Sequence, residues 1–323
     1  MKKKTLYLSM SAIVVLSVAF FAAIYFFNLQ NKVKPYVASI DKSGPPEITQ
    51  SFYGDFSDPL KKPMDVVKAN DYIYVSDASG RKIQVFDQAG TPIFKFGKTG
   101  NKEGEFNFPY GIAGDQKGNI YVADLYNGDI SIFDAKGKFI SYFKEKDEKD
   151  KVITSPGGLR IFKDKLYVTD IKQNKVFIFD LSGKKLMEIG GPGNKEGQFV
   201  APNAVTIDKD DYIYVSDSGN NRVQVFDSKG KFNKIINGSI DGKGDTLFLN
   251  PRGIAVNSQG TVYIVNSLSH NIYAFDKNGK REFELGGMGT DKDRFNLPNG
   301  LFIDNRDTLF VTDTVNQRIS EFN

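Results

Sequence analysis

Residues 201–236 read APNAVTIDKDDYIYVSDSGNNRVQVFDSKGKFNKII. Runs of β-branched and aromatic residues alternate here with short polar breaks, the signature of short strands joined by turns. The phrase recurs with variations along the chain. Its opening prolines are Pro63, Pro109, Pro156, Pro202, Pro251 and Pro298, spaced 46, 47, 46, 49 and 47 residues apart. Six units of that period mean a repeat architecture. In the second unit the runs are GIAGD, NIYVAD, DISIFD and the weaker FISYF, separated by turn chemistry such as DQKGN and DAKGK. The recurring D-x-x-G suits tight hairpins, because glycine takes the positive φ the turn requires. Each unit therefore reads as a four-stranded antiparallel meander. Nothing like a helix of ten or more residues appears after residue 35. Such sheets stacked face to face around an axis give an all-β, six-bladed β-propeller.

The two ends predict how the ring closes. The sixth unit stops at RISEFN, its third strand, while EITQSFYGDFSDPLKKP, ahead of the first unit, parallels the fourth-strand stretch TPIFKFGKTGNKEGEFNFP. The segment from Ile48 to Gly54 is thus expected to be the missing strand, so that residues 47–55 close the last blade of a propeller spanning 47–323.

Ahead of that lies a stretch of another kind. No charge occurs from Thr5 to Asn31, and the apolar run Leu6 to Leu29 is long enough, at about 1.5 Å per residue, to cross roughly 30 Å of hydrocarbon. It ends in the bulky IYFFNLQ, as a membrane interface favours, rather than in the small residues of a cleaved signal peptide. One N-terminal transmembrane helix is expected within residues 1–31, with Lys2, Lys3 and Lys4 cytoplasmic and the propeller extracytoplasmic. Residues 32–46, with Pro and Gly and little apolar periodicity, read as a stalk.

Composition narrows the function. With 40% hydrophobic residues the chain has a core. It has no cysteine, which excludes thiol catalysis, disulfides, zinc ribbons and lipoprotein acylation together. The net charge of +4 comes from five lysines within residues 1–34; the remainder carries 38 basic against 39 acidic residues. A body that close to neutral lacks the footprint of phosphate-backbone binding, so nucleic acid is not an expected partner.

The units resemble NHL repeats, whose pattern runs P-x-G-I-A-V-D, then G-N-I-Y-V-A-D-S-G-N-N-R-I-Q-V-F-D, then G-x-F; residues 202–232 are close to it, and the resemblance covers roughly 47–323. It implies a six-bladed propeller and leaves function open, since such scaffolds serve lyases, lactonases, RNA binders and interaction modules. His270, the one histidine, corresponds to the H of the family name and reads first as a loop residue of the motif. A single histidine cannot build the multi-histidine metal site of the amidating lyases that resemble this family.

Candidate site residues lie where fourth-to-first and second-to-third loops share one face. Tyr110, Tyr126, Arg160, Lys172, Arg252 and His270 are the ligand-face candidates. Asp65, Asn203 and Asn299 are the oxygen donors that could hold Ca²⁺ in an alternative, catalytic reading. The acids recurring once per blade, Asp77, Asp124, Asp170, Asp217 and Asp313, read as turn-stabilising scaffold, and Lys82, Lys175, Arg222 and Arg318 as their ion-pair partners. Three departures stand out: Arg160 where other units carry small or apolar groups, Asn266 in place of the repeated Asp, and Asp129 in place of the basic residue. The insert KEKDEKDKVIT at 144–154 reads as a solvated loop. The expected role is a membrane-tethered module, without a cofactor, that binds a protein, peptide or polysaccharide; the alternative is a Ca²⁺-dependent hydrolase or lyase similar to lactonase-type propellers.

Overall fold

The structure, a computed structural model, describes residues 44–146, 151–239 and 245–323. Six four-stranded antiparallel sheets follow one another along the chain. The first blade comprises Pro63–Ala69, Tyr72–Asp77, Lys82–Phe86 and Pro92–Phe96, innermost strand first. The inner strands of the other blades are Pro109–Gly114, Pro156–Phe162, Pro202–Ile207, Pro251–Val256 and Pro298–Ile303. Each inner strand contacts the next, and the sixth contacts the first, so the sheets form a closed ring around a channel.

The core lies between blades. Each adjacent pair encloses one apolar cluster, such as Tyr167, Val176, Phe199, Val215 and Phe226 between blades 3 and 4. Full burial of each such side chain stabilises by about 1.5–3 kcal/mol, so no blade is stable without its neighbours. Close approach at the axis has a local cause. Two residues after the opening proline stand Gly111, Gly158, Gly253 and Gly300; a Cβ on Gly111 would sit 2.3 Å from the Gly157 carbonyl oxygen, and one on Gly300 2.6 Å from that of Met64. Asp65 fills the same slot in blade 1 and, as shown below, has a separate job.

Closure follows the expected route. Ile48–Phe52 pairs antiparallel with Arg318–Phe322 and completes the sixth blade. Phe52 then packs against Phe86 of blade 1 at 5.0 Å between ring centroids, and Glu47 and Asn323 exchange backbone hydrogen bonds of 2.9 Å. The expected transmembrane helix and most of the stalk lie outside the described residues. Among the described residues no helix is long and apolar enough to cross a membrane.

Candidate functional site

Strand register fixes which loops share a face. Pro63 at the start of the first strand pairs with Asp77 at the end of the second, and Asp77 with Lys82 at the start of the third. Fourth-to-first and second-to-third loops therefore emerge together, and this loop face surrounds the channel mouth.

The repeated acids latch these loops to one another. Asp77 accepts N–H bonds from Lys61 and Lys62, Asp124 from Asn107 and Phe108, Asp170 from Thr154 and Ser155, Asp217 from Val200 and Asp313 from Asn296, all at 2.6–3.2 Å. The bonded groups belong mainly to the loop entering the blade as well as to the turn that follows, so each carboxylate ties two loops rather than one. Arg222 pairs with Asp217 at 2.7 Å, Arg318 with Asp313 at 2.9 Å and Lys82 with Asp58 at 2.5 Å. Lys175 turns instead to Glu188 on the next strand. Two departures prove to be compensations. Asn266 lies opposite the neutral Asn271 and still accepts the Leu249 N–H. Asp129, with no base beside it, is paired by Lys151 of the insert.

His270 belongs to the same scaffold. It adopts φ 61°, as Arg81, Gly128, Asn174, Asn221 and Gln317 adopt positive φ at the equivalent place in their loops. Its Nδ1 accepts the Leu297 N–H at 3.0 Å, just as Asn174 Oδ1 accepts that of Ala201 and Asn221 Oδ1 that of Asn250. An accepting Nδ1 places the ring proton of the neutral imidazole on Nε2.

The remaining candidates separate into two places. Tyr110, Arg160, Asp65, Asn203 and Asn299 line one cavity of about 20 Å³ in the channel. Tyr110 of blade 2 donates its hydroxyl proton to Asn203 Oδ1 of blade 4 at 2.7 Å and accepts from Arg252 Nη1 of blade 5 at 3.0 Å. Arg160 of blade 3 crosses to blade 6, where Nη2 donates to the Leu301 carbonyl at 2.9 Å and the guanidinium lies 5.6 Å from the Phe302 ring centroid. Its Nη1 is sealed from solvent and has no acceptor. Burial pushes the Asp65 carboxyl up to about 6, against the opposing pull of Arg160 and of the Ile112 and Val66 N–H groups it accepts. Burial also lowers the Arg160 guanidinium, opposed by Asp65, but an arginine starts so high that it stays charged.

Of the oxygen donors Asp65, Asn203 and Asn299, two already have partners: both Asp65 oxygens accept backbone N–H groups and Asn203 Oδ1 accepts the Tyr110 hydroxyl, while Asn299 donates through Nδ2 to the Met64 carbonyl at 2.8 Å. Any cation placed there would also face Arg160. Among the described residues, no three His, Cys, Asp or Glu gather as metal ligands.

Tyr126 and Lys172 stand outside the channel on the loop face. Tyr126 is 65% exposed and packs on Phe108, 4.7 Å between centroids; Lys172 is exposed. The same face carries a feature that sequence reasoning missed. Val200, Leu247, Leu249, Leu268, Met288 and Val315 are exposed in the loops of blades 4 to 6, and Tyr53 and Phe56 in the loop that follows. The opposite face carries one such residue, Tyr212, among the described residues, while Ile93, Ile140, Leu186 and Ile235 lie on outer strands. A backbone bond joins two of these residues from different loops of blade 5, the Leu268 N–H donating to the Leu249 carbonyl at 3.2 Å.

A family model described as a 6-bladed beta-propeller matches residues 142–241. Protein lin-41 of Caenorhabditis elegans is 50% identical over 50 residues, 16% of this chain and 4% of that protein. Protein brain tumor of Drosophila melanogaster is 28% identical over 145 residues, 42% of this chain and 13% of that protein. The chain thus matches only a small part of the length of these curated relatives. Among solved structures, virginiamycin B lyase from Staphylococcus aureus superposes with a TM-score of 0.58 at 13% identity, covering 86% of this chain and 99% of that one. A gluconolactonase from Xanthomonas campestris gives 0.57 at 15%, covering 86% and 96%. The likeness is one of fold. It bears out the six-bladed propeller and, at these identities, carries no activity across.

Proposed function

We propose that this protein is a membrane-tethered, extracytoplasmic binding module whose loop face over blades 4 to 6 takes an apolar segment of a partner protein or peptide. The observation that carries this reading is the one-sidedness of the exposed apolar loop residues, which among the described residues gather on the loop face and leave only Tyr212 on the opposite one. Such concentration marks interaction surfaces. The channel mouth supports it from another direction, because Tyr110, Arg252 and Asn203 fill it with mutual hydrogen bonds, leaving room beside the axis for no drug-sized substrate. The tether rests on residues 6–29 and on the chain entering the propeller beside Asn323, at the face away from the crescent.

Site-specific photocrosslinking in intact membranes tests the binding face. A crosslinker at position 268 is expected to give an adduct of defined mass, and one at position 277 on the opposite face none; equal labelling at both, or none at either, would sink the reading. The tether is tested separately. Alkaline carbonate should leave the full chain in the membrane and release a chain that begins at residue 35. Release of both would remove the anchor.

The hydrolase or lyase reading has the shared fold with a lyase and a gluconolactonase in its favour. The occupied donors around Asp65 weigh against its metal.

A further inference from the structure

Two guanidinium groups reach into the channel, from Arg160 of blade 3 and Arg252 of blade 5. The single carboxylate lining the cavity is that of Asp65, already holding two backbone N–H groups. Neither arginine makes an ion pair among the described residues, so the channel carries two cations against one anion. Arg160 Nη1 is the sharpest mark of this imbalance: a charged donor, sealed from water, facing no acceptor. Buried donors of this kind are almost always satisfied by a water or an ion. The cavity of about 20 Å³ slightly exceeds the roughly 10–15 Å³ that one water needs. A water would supply an acceptor; only an anion would also balance the charge.

We propose that the channel binds one small monovalent anion on Arg160 Nη1, in the cavity lined by Tyr110, Asn203 and Asn299. The site is independent of what docks on the loop face. Its occupancy is coupled to a proton, because Asp65 competes with the anion as long as it is charged. Among the described residues, those lining the cavity with Asp65 bring no other competitor: blade 2 supplies Tyr110, blade 3 Arg160, blade 4 Asn203, blade 5 Gly253, and blade 6 Asn299 with Gly300 and Leu301, while Arg252 of blade 5 reaches Tyr110. Lys68, further along the strand of Asp65, is held by Asp304 at 2.6 Å. Asp65, raised by burial, takes up its proton at mildly acidic pH and leaves both guanidinium groups to the anion.

Calorimetric titration of the full chain in detergent tests the proposal, with sodium formate and sodium chloride as separate probes and a bulky sulfonate as the background anion. One-to-one saturable binding of either probe is expected, tighter at pH 5.5 than at pH 7.5 by on the order of tenfold. Preference for formate would assign the site to carboxylates, and preference for chloride to halides. Asp65→Asn should bind as tightly at pH 7.5 as at pH 5.5, a gain that a merely structural role does not produce. Arg160→Lys should weaken binding, and Arg160→Gln should abolish it. If Arg160→Gln does not fold, the Asp65→Asn comparison decides alone. Absence of saturable binding by both anions, binding that survives in folded Arg160→Gln, or an unchanged pH dependence in Asp65→Asn would each overturn the proposal.

Discussion

His270 and Asn221 perform one task with different chemistry, each presenting an acceptor to a backbone N–H from a left-handed loop position. His270→Asn should therefore shift the urea midpoint by less than about 0.5 kcal/mol equivalent. His270→Val should cost about 2 kcal/mol, from the orphaned Leu297 N–H and a β-branched residue at positive φ. The latch acids are less forgiving. Asp313→Ala strands the fully buried Arg318 and should cost about 3–5 kcal/mol in the same assay, whereas Asn266→Ala, which leaves no buried cation behind, should cost about 1–3 kcal/mol. Asp65 gives a pH signature. Its folded value near 6 lies above the ordinary 3.8, so its contribution to stability is fully present below about 3.8 and lost as pH rises through about 6, ~3 kcal/mol in all. The melting temperature of Asp65→Asn minus that of the wild type should therefore climb between pH 4 and pH 7; a flat difference would contradict the buried, unpaired environment. The latch acids were legible in sequence because they repeat, and Arg160 because it breaks a repeat. Its contact with Leu301, 141 residues away, leaves no local trace. Comparing the second residue after each proline, where Asp65 stands among glycines and an alanine, was the available signal for the channel.

At the scale of the strand, the closing segment was readable because Ile48–Phe52 carries the pattern of a fourth strand where a fourth strand was missing. A chain starting at Lys61 loses that strand and uncovers Ile319 and Phe322, now 0% and 3% exposed. Limited proteolysis should then cut first within residues 298–323, while the full propeller resists under the same conditions. Phe52→Ala, which empties the interface with Phe86, should cost about 3–5 kcal/mol without opening the ring. The apolar crescent was hidden for a geometric reason. Leu249 and Leu268 sit in different loops, and their sequence neighbourhoods look like ordinary loop punctuation; only the pairing of the two loops makes them one surface.

Across the whole molecule, the two faces of the ring are chemically unlike, and the channel between them is crossed by side chains at Arg160 and Tyr110. A ring so tied should not need a metal for its stability. The melting temperature is expected to stay unchanged on adding EDTA or Ca²⁺, and a rise with Ca²⁺ that is lost in Asn203→Ala or Asn299→Ala would revive the catalytic reading. The pairing of Ile48–Phe52 with Arg318–Phe322 has a further consequence in time. During translation the closing strand emerges about 270 residues ahead of its partner, and at roughly 5–20 residues per second it waits on the order of 15–50 s with its backbone unpaired. For that interval the nascent protein carries an open strand edge at each end of a growing stack of blades, the kind of edge that pairs readily with other chains. Shielding those edges until the partner strand appears is a demand this fold places on the cell that makes it.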